Sequence, residues 1–126
     1  MSDDSQLELR SRLAGLADRP VADGVPADGL QRDFALLGRL LAGAAQGGGA
    51  GERGVSDDDV AAALALFEGM RTAVDRLETQ VVIEARRRGM EWRQIALHQG
   101  LKSSQAASQR YQRLMTRLEE IRQGIR

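Results

Sequence analysis

The chain has 126 residues, with eighteen basic and eighteen acidic side chains and no cysteine. That length makes one domain, or one domain with an appendage. The missing cysteines exclude disulfides, thiolate zinc sites and cysteine nucleophiles. Apolar residues reach 42 % but aromatics only 3 %, so a core of Leu, Val, Ile and Ala is expected, thin enough that dimerisation would add needed burial.

The zero net charge hides an asymmetry. Residues 1–69 hold six basic and twelve acidic side chains, and residues 70–126 hold the reverse. The second half is the expected partner of a polyanion, while the acidic head is a candidate to restrain it or to touch RNA polymerase or another regulator. Lys102 is the only lysine among the basic residues, an arginine bias that suggests a GC-rich genome. The acidic start Met1-Ser2-Asp3-Asp4 does not read as a secretory leader. No run approaches the roughly 18 apolar residues of a membrane span, so a cytoplasmic location with no membrane partner is expected.

Taken in chain order, residues 5–17 place Leu9, Leu13 and Leu16 on one helical face, and Arg19-Pro20 closes that segment. Asp28 reads as the N-cap of a second helix, along which Leu30, Phe34, Leu37, Leu41 and Ala44 recur at helical steps. Both are amphipathic and too short to stand alone. Residues 46–54 form a Gly-rich linker between an N-terminal helical region (1–45) and the remainder (55–126). Gly49-x-Gly51-x-x-Gly54 within it is not a dinucleotide fingerprint. That motif needs a preceding strand and an anion-attracting helix start, and here a helix precedes and Asp57, Asp58 and Asp59 follow.

Those aspartates, after Ser56, read as a helix start: a hydroxyl cap followed by negative charge at the positive end of the dipole. A metal site there lacks a second ligand cluster. The helix runs to about Arg88, with Gly69 as its weak point. Leu64, Phe67, Val74, Leu77 and Val81, with Val60 before them, form an apolar seam that suits either packing on the N-terminal helices or a dimer.

After Gly89 the pattern shortens. Glu91–Gln99 makes a short helix with Trp92, Ile95 and Ala96 inward, Gly100-Leu101 breaks it, and Ser103 or Ser104 caps a last helix. That helix buries Ala106, Ala107, Tyr111, Leu114, Leu118 and Ile121, and its seam continues to Ile125. Small residues at 96, 106 and 107 allow two helices to cross closely, and the glycine allows the positive φ of the turn. This is the layout of a helix-turn-helix. The expected fold is therefore all-α, a helical bundle with a long central helix and a C-terminal helix-turn-helix.

Residues 85–118 resemble the helix-turn-helix of many regulators from high-GC Gram-positive bacteria and, in outline, the last DNA-binding region of sigma factors. The matching residues are Gly89, Trp92, Ile95, Ala96, Gly100, Gln105, Ala106, Ala107, Arg110 and Tyr111. Glu91 stands where Ser or Thr usually precedes the Trp, and Gln99 where a Leu usually precedes the Gly. The resemblance implies a recognition helix from about Ser103 in the major groove of double-stranded DNA. Ser104, Gln105, Ser108, Gln109 and Gln112 would then read base edges. Lys102, Arg110, Arg113, Arg86, Arg87, Arg88 and Arg93 would hold phosphates.

Blander roles compete. Arg86–Arg88 also suit the negative end of the long helix, a Ser/Gln face is often merely solvated, and Trp92 and Tyr111 read as core. The expectation is a homodimeric DNA-binding transcriptional regulator with no cofactor, metal or enzymatic activity. The alternative is a helical protein-interaction module, antitoxin-like or a sigma-associated adaptor. Ser/His/Asp chemistry would depend on His98, the single histidine, which has no carboxylate nearby in sequence to orient it.

Overall fold

The computed structural model describes residues 3–16, 27–46 and 54–124, and these are all helix or helix-connecting turn. There are five helices among them: α1 (Asp3–Ala14), α2 (Ala27–Ala45), α3 (Asp57–Arg87), α4 (Trp92–Gln99) and α5 (Ser104–Arg122). No described helix is long and apolar enough to cross a membrane.

α3 begins as its sequence dictates. The Ser56 hydroxyl accepts from the Asp59 amide at 3.2 Å, and the Asp59 carboxylate accepts from the Ser56 amide at 3.0 Å. Two orphan donors are thereby satisfied in one reciprocal box. The acidic run is a cap, and among the described residues no cluster of His, Cys, Asp or Glu is arranged to hold a metal. The 31-residue helix is the spine. α2 packs against one part of it and α5 against another, and α5 also packs on α4.

α2 runs antiparallel to α3. A side chain at Gly43 would come within 3.3 Å of Val55, while Phe34 shares a hollow with Phe67, Met70 and Val74. Leu30 is buried. The helix begins at Ala27, so Asp28 is its second residue rather than its cap. The linker expected at 46–54 lies, for residues 47–53, outside the described residues.

The densest packing is C-terminal. Ile95, Ala96 and Ala107 form the core cluster, with Ala85, Met90, Trp92 and Leu101 packed against it. Ala107 and Ala96 are almost wholly buried, which lets α4 and α5 approach closely. The one buried polar residue of α3, Thr79, satisfies its hydroxyl on the Asp75 carbonyl one turn back at 2.8 Å.

Two glycines make the corners. Gly89 (φ +85°) and Gly100 (φ +75°) sit in the left-handed region. After α3, the Met90 amide donates to the Ala85 carbonyl and the Gly89 amide to that of Arg86. After α4, the Leu101 amide donates to the Ala96 carbonyl and the Gly100 amide to that of Leu97. Both are Schellman endings, and in each the apolar residue after the glycine, Met90 or Leu101, folds back onto the core. Ser103 caps α5, its hydroxyl accepting from the Ala106 amide at 3.0 Å, so Ser104 is the first helical residue instead. α5 ends at Arg122, before a third left-handed glycine, Gly124. Ile125, expected to extend its seam, lies outside the described residues.

Candidate nucleic-acid interface

α5 divides cleanly into two faces. Ala107 is buried and Ala106, Tyr111, Leu114, Leu118 and Ile121 are half-buried, the face expected to pack. Ser104, Gln105, Gln109 and Gln112 are exposed, and Ser108 is half-buried at the border. These side chains occupy the first turns of a helix that starts abruptly after a glycine corner. They present hydroxyls and amides without a competing charge among them.

The expected cations fall into three groups. Arg93, Lys102 and Arg113 are exposed and make no ion pair among the described residues. Arg93 and Lys102 border the shallow hollow at the α4–α5 turn, while Arg113 stands with Gln109 and Gln112 on the outer surface of α5. Arg86, Arg87 and Arg88 are occupied locally. Arg86 stacks over the Trp92 ring at 4.9 Å and donates to the Met90 carbonyl at 3.0 Å. Arg87 and Arg88 both hold Glu84, at 2.7 Å and 2.5 Å. Their hydrogen bonds pull the Glu84 carboxyl down to about 2. All three are exposed, and ion pairs so placed are weak enough to exchange for a stronger anion.

Arg110, expected at a phosphate, forms the third group and is engaged within the fold. It stands on the inward face of α5, where its guanidinium makes a two-pronged bond to Glu78 of α3, at 2.5 Å and 2.7 Å. The Gln99 amide of α4 donates to the same carboxylate at 3.0 Å. One carboxylate therefore ties three helices. The Arg110 hydrogen bonds hold the Glu78 carboxyl below its usual range, against a desolvation that raises it. Further along the same interface Arg117 lies 3.4 Å from the buried Asp75 Oδ2 and 3.8 Å from Glu68. Glu78, Asp75, Glu68 and Arg117 carry no local sequence signal, because each pair spans more than thirty residues.

Glu91, the departure from Ser or Thr before the tryptophan, still occupies the N-cap of α4 with extended backbone. Its amide donates to Gln94 Oε1 at 2.8 Å, the half of a capping box that the N3 residue supplies. Trp92 and Tyr111 pack with ring centroids 5.7 Å apart and are half-buried, as core residues are.

The expected seam of α3 stays largely open. Leu64 and Val81 are 68 % and 67 % exposed, Val74 and Phe67 less so, and Leu77 is half-buried. Beside it, Val81, Val82, Ala85, Met90, Ile95 and Leu101 line an apolar groove of about 600 Å³ that ends at Glu78, Gln99 and Arg110, with His98 on its lining. The Gln99 Oε1 at that end is buried with no hydrogen-bond partner among the described residues. The chain matches no family model, no curated protein and no solved structure.

Proposed function

We propose that the chain is a non-enzymatic DNA-binding transcriptional regulator. It acts as a homodimer, with α4 and α5 as a helix-turn-helix and the first turns of α5 in the major groove. The observation that carries this reading is the separation of α5 into a packed face and an open Ser/Gln face, flanked by exposed cations that no acid in the described chain neutralises. Glutamine can pair bidentately with adenine, and hydroxyls accept or donate to several bases. Arg93, Lys102 and Arg113 are the first candidates for phosphates, with Arg86, Arg87 and Arg88 available where their local partners yield. The dimer would cover what α2 leaves open of the seam Leu64, Phe67, Val74, Leu77 and Val81, whose spacing suits a helix partner. Two copies of α5 about one helical turn (~34 Å) apart would then read a two-fold symmetric site.

Binding of the intact protein to fragmented genomic DNA, measured at two salt concentrations, tests the reading. Affinity should fall steeply with salt, because neutralised phosphates release counterions. Replacing Gln105 and Gln109 together by Ala should weaken the preferred site by roughly 1–3 kcal/mol per base pair read and spare random DNA. Equal loss on every sequence would show that these side chains read no bases.

A second reading has its own support. The apolar groove beside α4 and the open α3 row suit a helical interaction module, antitoxin-like or a sigma-associated adaptor. Such a complex, joined through apolar surface, would change little with salt.

A further inference from the structure

We propose that Glu78 is a specificity-determining positioning residue: by holding Arg110 and Gln99 on one carboxylate, it sets the angle at which α5 presents its Ser/Gln face. The inference rests on the DNA-binding reading above and adds a residue that would touch no DNA. Three observations carry it.

The first is reach. α4 and α5 approach closely through Ala96 and Ala107, beside Ile95 and the Trp92–Tyr111 ring contact, and these apolar contacts carry no hydrogen bond to fix direction. The bond from Arg110 on the inward face of α5 to Glu78 of α3 supplies that direction. The second is geometry. The Glu78–Arg110 bond is two-pronged, so it fixes direction as well as distance, and Gln99, the last residue of α4, joins the same carboxylate. The third is place. Arg110 directly follows Gln109, so its guanidinium anchors the helix at the level of the side chains that face outward. Base-reading side chains must be held within about half an ångström and 10–20° of their productive geometry, and the clasp is a directional hydrogen-bonded contact at that level.

Gln99 then acquires a reason. In the motif it resembles, a leucine stands there and would fill apolar space. Here the amide donates to Glu78 and leaves its own carbonyl buried and unpaired. An orphan acceptor is a cost that a purely packing position does not bear, and the bond to Glu78 gives the position a use in aim.

The test uses the full-length protein and two duplexes: one selected by the wild type from a random pool, and one random. Glu78→Gln keeps shape but removes the charge. Arg110→Lys keeps the charge but cannot make the two-pronged bond. Each should lower the preference for the selected duplex about tenfold or more, the value of one well-aligned base contact. Affinity for the random duplex and the slope of affinity against salt should stay as in the wild type. The double variant should lose no more than either single, and Glu78→Asp should recover part of the preference. Melting curves confirm that each variant is folded at the assay temperature. If both substitutions leave the preference intact, the clasp is structural only and the proposal falls. If Arg110→Lys or Arg110→Gln weakens both duplexes alike and flattens the salt slope, Arg110 holds a phosphate and the proposal falls. A wild type that selects no duplex sinks the DNA-binding reading itself, a different result from either.

Discussion

α1, at the start of the chain, and α4, near its end, are both short helices with apolar side chains, but they use them differently. α1 buries none of its residues, and Leu7, Leu9, Leu13 and Leu16 are each about half exposed or more. α4 is shorter, eight residues against twelve, yet buries Ile95 and Ala96 almost completely. The difference lies in the corners. α4 is held between two Schellman turns whose glycines, caps and following apolar residues all direct the chain back onto the same cluster. α1 has an apolar face but nothing described next to it that turns that face onto a neighbour. Helical periodicity makes a helix possible; turn chemistry decides whether it joins a core.

That contrast can be broken experimentally. The largest effect should come from Ile95→Ala, which removes a buried side chain from the cluster and should destabilise by about 2–5 kcal/mol. Leu13→Ala, the same kind of truncation in α1, should shift the denaturation midpoint by no more than about 0.5 kcal/mol in the isolated chain. A comparable loss at Leu13 would show that α1 has a partner in solution. Next, Gly100→Ala should cost about 1–2 kcal/mol, from the positive φ alone, since a Cβ there would meet no neighbouring atom. A neutral substitution would mean that the corner rearranges.

A smaller effect should appear on acidification. Glu78 has its folded carboxyl lowered from 4.5 by the Arg110 hydrogen bonds. Its contribution is therefore complete above about 4.5 and fades as pH falls through the lowered value. Urea titrations from pH 6 downward should show the wild type converging on Glu78→Gln only in the acid range. Convergence already at neutral pH would rule the clasp out as a source of stability. The smallest change is a gain. Gly69 is exposed in mid-helix with open space where a Cβ would stand, so Gly69→Ala should stabilise by about 0.5–1 kcal/mol, read as a raised melting temperature.

Much of this architecture is legible before any coordinate. Ser56, Gly89, Gly100 and Ser103 mark helix ends because caps and left-handed residues act within a few positions of themselves. The packed face of α5 follows from its steps of three and four. Other features resist such reading for physical reasons. Arg110 sits among polar neighbours and looks available for phosphate, but its partner is 32 residues away, a pairing that tertiary packing creates and no local pattern announces. The start of α4 departs from the motif at Glu91, yet Gln94 three residues on still closes the N-cap amide, as the N3 residue of a capping box does. The α3 seam suits both an internal and an external partner, since apolar spacing specifies a helix surface and not what lies on it.

The rungs between α3 and α5 are unevenly spaced. Arg110 and Arg117 are seven residues apart, but the acids they meet stand at 68, 75 and 78. Were α5 to slide two turns toward the end of α3, Arg110 would come level with Ala85; two turns the other way, with Arg71. One displacement strands a cation against a methyl group and the other sets it against a like charge. Against slides of that size, charge adds to packing in holding α5 at its depth along the spine.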